Sequence, residues 1–83
     1  MQRMEYDKNK VDEMVLALLY LTLHDGDRAW KGHDWDALNR LNEKGMIGDP
    51  VGKAKSVWLT EDGLRRSREL FTQHFTREAR TTT

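Results

Sequence analysis

Residues that could contact a nucleic acid lie in the middle of the chain. Asn39 and Arg40 are adjacent, and amide and guanidinium groups can each form paired hydrogen bonds with the edges of DNA bases. Lysines on either side of them could contact backbone phosphates, which fix the position of a protein on DNA. Together these residues form the predicted DNA-binding set: Lys31, Asn39, Arg40, Lys44, Lys53 and Lys55.

The charge balance does not favour strong electrostatic binding. The chain has 14 Lys and Arg against 14 Asp and Glu, a formal net charge of zero. Phosphate attraction supplies most nonspecific DNA affinity, and a large basic excess is its usual signature. The bases are unevenly placed, since residues 1–42 carry a net charge of −2 and residues 43–83 a net charge of +2. The alternative is a protein-interaction or dimerisation module that keeps the fold without binding DNA.

Enzymatic and metal chemistry have little support in the residue pattern. The chain has no cysteine, which excludes thiol catalysis, disulfides and thiolate zinc sites. Ser56 and Ser67 lack the Gly-x-Ser-x-Gly context of a nucleophile, and residues 48–52 have turn composition rather than that of a phosphate loop. Histidines and carboxylates cluster at spacings that match no metal motif: His24, Asp25, Asp27, His33, Asp34 and Asp36. We therefore expect no enzyme activity, no cofactor and no metal.

Two helices and a polar connection must position these residues. Apolar residues recur at helical spacing through residues 8–23, so this segment is predicted to be a buried helix capped by Asp7 or Asn9. The connection at 24–33 contains two glycines, and residues 27–31 are predicted to form one helical turn. A second helix is predicted to begin at the Asp34 cap and to end at Gly45, a residue that permits a left-handed exit.

A hairpin and a third helix complete the prediction. Residues 46–47 and 55–59 are predicted strands around a turn at 49–53, with Val57 and Leu59 on one side and Trp58 on the other. Thr60 is expected to cap a long helix. One face of that helix is predicted to carry Leu64, Ser67, Phe71, His74 or Phe75, and Glu78. The three tryptophans, Trp30, Trp35 and Trp58, are expected to pack under the hairpin.

The second half of the chain resembles the winged helix-turn-helix of MarR- and PadR-type transcription regulators. In those proteins a helix ends in Leu-x-x-Lys-Gly-Leu-Ile, and a β-wing leads to a Leu-Thr-x-x-Gly helix start. The matching positions here are Leu41, Lys44, Gly45, Met46, Ile47, Leu59, Thr60 and Gly63. The resemblance covers about residues 34–75. Together with the predicted first helix, it indicates an α+β, winged-helix-like domain over residues 1–83, whose ends, residues 1–6 and 80–83, are expected to fray. It implies a compact arrangement of three helices with a two-stranded β-hairpin wing and a shortened second-helix region.

The whole chain also resembles a family of small uncharacterised bacterial proteins. The shared stretches are Leu-Leu-Tyr-Leu-Thr, here Leu18 to Thr22, and Trp-Lys-Gly-His-Asp-Trp, here Trp30 to Trp35. The winged-helix resemblance implies a small DNA-binding or transcription-regulatory module that contacts double-stranded DNA. Helix two would then be the recognition helix, with Lys53 and Lys55 on the wing.

Length and hydrophobicity bear on assembly and location. A chain this short buries only about 60 to 65% of its surface on folding, so association would supply missing burial. We expect a homodimer through the first and last helices, which build the dimer in the regulators that the chain resembles. An exposed apolar patch around Trp58 or Leu70 would instead favour another protein partner. The longest apolar run is Met14 to Leu21, shorter than a membrane helix, and the charged N-terminus does not read as a signal peptide. A cytoplasmic location without membrane contact is predicted.

Overall fold

Five regular elements follow one another in the computed structural model, which describes residues 4–77. Three are helices and two are strands: α1 is Lys8–Leu21, β1 is Arg28–Trp30, α2 is Trp35–Glu43, β2 is Ser56–Trp58 and α3 is Glu61–Phe75. The strands form one antiparallel sheet. The predicted α+β class, with three helices and a two-stranded sheet, is confirmed, and the layout is consistent with a winged-helix-like domain.

Helix α1 is the central element and packs on α2, α3 and β1. Asp7 caps it, since its carboxylate accepts a hydrogen bond from the Lys10 amide at 3.2 Å. The helix ends at Leu21, two residues before the predicted end. Its inner side joins one core made of Val15, Leu16, Ala17, Leu19, Ala29, Ala37, Leu38, Leu41, Ile47, Val57, Leu59 and Leu70.

The connection after α1 forms a strand, so the predicted helical turn at 27–31 is wrong. Ala29 pairs with Val57, and both side chains are buried. The Leu59 amide donates to the Asp27 carbonyl at 2.7 Å, and the Lys31 amide donates to the Lys55 carbonyl at 3.0 Å. Leu59 and Lys55 follow α2 in the sequence, so these hydrogen bonds join distant parts of the chain. They satisfy backbone groups that a helical turn would have paired locally.

The predicted hairpin between residues 46–47 and 55–59 is reduced to a single bridge. Ile47 pairs with Leu59, and the Gly48 amide donates to the Trp58 carbonyl at 2.9 Å. The regular partner of β2 is β1, not residues 46–47. The predicted alternation along β2 is confirmed, because Val57 and Leu59 are buried and Trp58 is exposed.

Two glycines and one threonine set the ends of α2 and α3. Gly45 has φ +77°, the left-handed exit that the sequence predicts. The Thr60 hydroxyl accepts a hydrogen bond from the Gly63 amide at 2.9 Å and donates to the Gly45 carbonyl at 2.6 Å. Gly63 lies directly against the carbonyl of Met46, where a Cβ would overlap the oxygen. Glycine is therefore required in this first turn of α3.

The ends of the chain are only partly described. Residues 4–6 are irregular and exposed. Residues 1–3 and 80–83, which were expected to fray, lie outside the described residues, as does Glu78 of the predicted α3 face. Between residues 4 and 77 no helix is long and apolar enough to cross a membrane.

Candidate nucleic-acid interface

Helix α2 carries three of the predicted DNA contacts, and they do not share one environment. The helix begins at Asp34, whose carboxylate accepts from the Ala37 amide at 3.0 Å, as predicted. Asn39 lies on the exposed face. Arg40 and Lys44 were predicted to contact DNA together with Asn39, but their side chains bond to a residue of α1.

That residue is Asp12, whose side chain is only 1% exposed. Arg40 Nε donates to both carboxylate oxygens at 2.9 Å, and Arg40 Nη2 lies 2.8 Å from Oδ1. Lys44 Nζ lies 2.8 Å from Oδ2. Burying a carboxylate is costly unless its charge is paired and hydrogen-bonded, and here both conditions are met. We refer to Asp12, Arg40 and Lys44 as the Asp12 cluster.

Two members of the Asp12 cluster, Asp12 and Arg40, stabilise each other's ionised forms. Burial by itself would raise the pKa of Asp12, but the hydrogen bonds and charges of Arg40 and Lys44 outweigh burial and hold that pKa below its usual value. The hydrogen bond that Arg40 donates to Asp12 raises the pKa of Arg40. Two cations thus hold α2 against α1, which accounts for their positions without any bound nucleic acid.

Lys31 is also engaged, but by neutral groups. Its Nζ donates to the Pro50 carbonyl at 2.8 Å and to the Gly52 carbonyl at 3.1 Å, and it lies 5.6 Å from the ring centroid of Trp35. These contacts attach the 49–55 loop to the segment that follows β1. Carbonyl oxygens carry no net charge, so these contacts fix the direction of the Lys31 ammonium group without neutralising its charge.

Three of the predicted lysines line one shallow depression together with a tryptophan. The depression has a volume of about 480 Å³ and is lined by Trp30, Lys31, Gly32, Gly52, Lys53, Ala54 and Lys55. Lys53 and Lys55 are exposed. Within the part of the chain that the structure describes, no carboxylate lines it. We refer to Trp30, Lys31, Lys53 and Lys55 as the lysine–tryptophan patch.

All three tryptophans are about half exposed, so the prediction that they pack under the hairpin is wrong. Trp30 is 51% exposed, Trp35 52% and Trp58 47%. Trp30 and Trp58 lie on the solvent face of the sheet, because the alternate residues Ala29 and Val57 take the core positions. The sequence analysis did not predict that Trp30 belongs to the candidate site. The available signal was the small Ala29 between two large polar or aromatic residues, which is the alternation of a strand.

A family described as "Domain of unknown function (DUF6429)" matches residues 7–77. The chain belongs to this family. It is 60% identical over 74 residues to "Uncharacterized protein y4hR" of Sinorhizobium fredii (strain NBRC 101917 / NGR234), a match that covers 89% of this chain and 100% of that protein. No solved structure matches, so the resemblance to winged-helix regulators stays a prediction.

The three histidines of this DUF6429 member lie in different surroundings. His24 stacks on Trp30 with ring centroids 4.3 Å apart. Burial lowers the pKa of His33. His74 is exposed, although the sequence predicts it or Phe75 on the same face of α3 as Leu64 and Ser67. Among residues 4–77, no group of three or more histidine and carboxylate side chains is arranged to hold a metal ion.

The surfaces of α1 and α3 are the second candidate region of this family member. A depression of about 880 Å³ lies between these helices, bordered by Tyr20 and Leu64 and by a polar rim on α3. Tyr20 contacts Phe71 with ring centroids 5.4 Å apart. Leu70, one of the two predicted centres of an apolar patch, is buried at 1% exposure, whereas Trp58, the other, is half exposed.

Proposed function

We propose that this protein is a small DNA-binding module of the regulatory kind, and that its contact surface is the lysine–tryptophan patch rather than the whole of α2. The observation that carries the proposal is the depression lined by three lysines and one tryptophan. Its lining within the described residues contains no carboxylate. A local positive surface of this kind can bind phosphate even when the net charge of the chain is zero.

The division of the cations supports this choice of surface. The buried carboxylate of Asp12 already offsets part of the charge of Arg40 and Lys44, whose side chains are 24% and 40% exposed, so their attraction for a phosphate is reduced. Lys53 and Lys55 are exposed and line a depression that no described carboxylate borders, so their charges are not offset in this way. Lys31 is already held in one direction, so little side-chain entropy would be lost when it binds. Asn39 stays exposed on α2 and is a candidate base contact.

The test is a fluorescence anisotropy titration of a labelled duplex DNA at low and moderate salt. Neutralising Z phosphates gives a slope of about −0.9Z in a plot of log affinity against log salt, so three lysines predict a slope of about −3. The double variant Lys53→Ala/Lys55→Ala should bind at least about tenfold more weakly and lower the slope by about 2.

The matched control removes two exposed lysines elsewhere, Lys8→Ala/Lys10→Ala in the first turn of α1. It makes the same change in net charge and should retain most of the affinity. Absence of binding at low salt would refute the proposal. An equal loss in both double variants would mean that only the net charge matters, and would refute the assignment of the surface.

Self-association is a second candidate function, favoured by the outer side of α1. An apolar groove of about 370 Å³ runs there, bordered by Tyr6, Val11, Met14 and Leu18. Leu21 continues the same helical stripe and is 63% exposed. A two-fold dimer could cover such a stripe with a second copy of itself.

The oligomeric state tests this second candidate directly. Sedimentation of the wild-type protein should give a dimer, and Leu21→Glu should give a monomer, because a buried unpaired carboxylate would oppose the contact. The matched control is Val51→Glu, which changes an exposed apolar residue in the 49–55 loop and should leave the dimer intact. A monomeric wild-type protein at all concentrations would exclude self-association through α1.

A further inference from the structure

Trp30 lies on the outer face of the two-stranded sheet, and about half of its surface is exposed. Its partner across the sheet is Ser56, whose side chain is too small to cover an indole. The opposite side of the sheet is occupied by buried Ala29, so the indole can only point outwards. The outcome is a large ring that borders a depression and that has half of its surface open.

The end of α1 holds this ring in place. The Trp30 amide donates to Thr22 Oγ at 3.1 Å. His24 stacks on the indole, and its Nδ1 lies 2.9 Å from the Thr22 carbonyl, which can only accept, so Nδ1 carries the proton. Thr22 thus fixes the backbone of Trp30 and the ring of His24, and His24 restrains the indole by covering one of its faces. A ligand that stacks on the other face would therefore lose little entropy in ordering the ring.

The surrounding charges indicate what kind of ligand the ring would take. Lys31, Lys53 and Lys55 border the same depression, so a ligand that carries several negative charges beside a flat apolar group is complementary to it. A single-stranded nucleic acid has both features, since its phosphates alternate with bases whose faces are open to stacking. In a duplex the neighbouring base pairs cover those faces, and an indole could reach only their edges.

We propose that the lysine–tryptophan patch binds single-stranded DNA, with an unpaired base stacked on Trp30 and the flanking phosphates on Lys53 and Lys55. This inference rests on the proposed DNA-binding function and makes it more specific. Duplex binding through the lysines alone would satisfy the earlier proposal, whereas a preference for unpaired bases requires the indole.

The experiment compares one labelled oligonucleotide, as a single strand and annealed to its complement, in anisotropy titrations at the same salt concentration. The single strand should bind roughly tenfold more tightly. Trp30→Ala should remove that preference by weakening binding to the single strand, and Trp30→Phe should retain part of the preference because a ring is kept. The matched control is Trp58→Ala, which removes a similarly exposed indole on the same face of the sheet that does not line the depression.

Different results overturn different claims. Equal affinity for both DNA forms, with no effect of Trp30→Ala, overturns this inference and leaves the DNA-binding proposal standing. Binding to neither form overturns both. Poly-glutamate that competes as well as the single strand at equal charge would show that the patch recognises only negative charge, as an acidic protein segment would supply, and would also overturn the inference. Circular dichroism of each variant confirms that it is folded.

Discussion

The Asp12 cluster and the lysine–tryptophan patch use similar cations in opposite situations. In the cluster, Arg40 and Lys44 close on a carboxylate that is almost fully buried. In the patch, the lysines border an open depression that no described carboxylate lines. A cation that pairs with a buried carboxylate offsets the cost of burying that carboxylate, and its own charge is partly neutralised. An exposed cation without such a partner can neutralise a phosphate of a ligand. The environment of a basic residue, more than its place in a motif, therefore determines whether it is available for binding.

The largest effect expected from this contrast is the loss of the buried carboxylate. Asp12→Asn should lower the free energy of unfolding by about 2 to 3 kcal/mol, because Arg40 and Lys44 lose their charged partner at the α1–α2 contact. Urea denaturation followed by circular dichroism measures it. The matched control, Asp36→Asn, changes an exposed carboxylate of α2 and should stay within about 0.5 kcal/mol of wild type. If the two variants were equally stable, the Asp12 cluster would have no structural role.

The pH dependence of stability should show the same carboxylate. The pKa of Asp12 is held below its ordinary value of 3.8 in the folded protein, so its contribution is fully present above that value. The contribution is lost as the pH falls from 3.8 through the lower folded pKa. Thermal melts of wild type and Asp12→Asn should thus differ most near neutral pH and converge in acid. A difference that grew with acidity would contradict the depressed pKa.

An intermediate effect is expected at Lys31, which has both a structural and a proposed binding role. Lys31→Ala should lower stability by about 1 kcal/mol, because the Pro50 and Gly52 carbonyls lose their donor, and it should also weaken DNA binding. Lys53→Ala should weaken binding with no measurable change in stability, because Lys53 is exposed. Chemical denaturation and anisotropy on both variants separate the two roles. Equal stability of the two variants would show that the carbonyl contacts of Lys31 do not stabilise the loop.

The smallest effect expected is on DNA affinity when a cation of the Asp12 cluster is removed. Lys44→Ala should change the affinity for duplex DNA by less than about twofold, since Lys44 is already bound to Asp12 and Asn9. Lys53→Ala should weaken it by roughly threefold under the same conditions. Reversal of this order in an anisotropy titration would place the interface on α2 and restore the recognition-helix hypothesis.

Much of the local structure could be predicted from neighbouring residues. The caps at Asp7, Asp34 and Thr60 and the left-handed Gly45 agree with the prediction because each depends on backbone groups only a few residues away. The alternation along β2 agrees because adjacent side chains of a strand point to opposite faces. The candidate site was predicted only in part. Its three lysines were named, but the role of Trp30 was missed, and Arg40 and Lys44 were predicted to contact DNA although they bond to Asp12.

The remaining structural features depend on contacts between residues that are far apart in the sequence. Asp12 lies 28 residues before Arg40 and 32 before Lys44, so no local pattern shows that it pairs with them. The strand at 28–30 exists because Ser56–Trp58 offers it hydrogen-bond partners, which the short Gly-containing segment could not supply itself. Helix ends and strand faces thus follow from the order of amino acids. The availability of each cation and the exposure of Trp30 were decided by packing, because burial and charge pairing depend on residues that only the folded chain brings together.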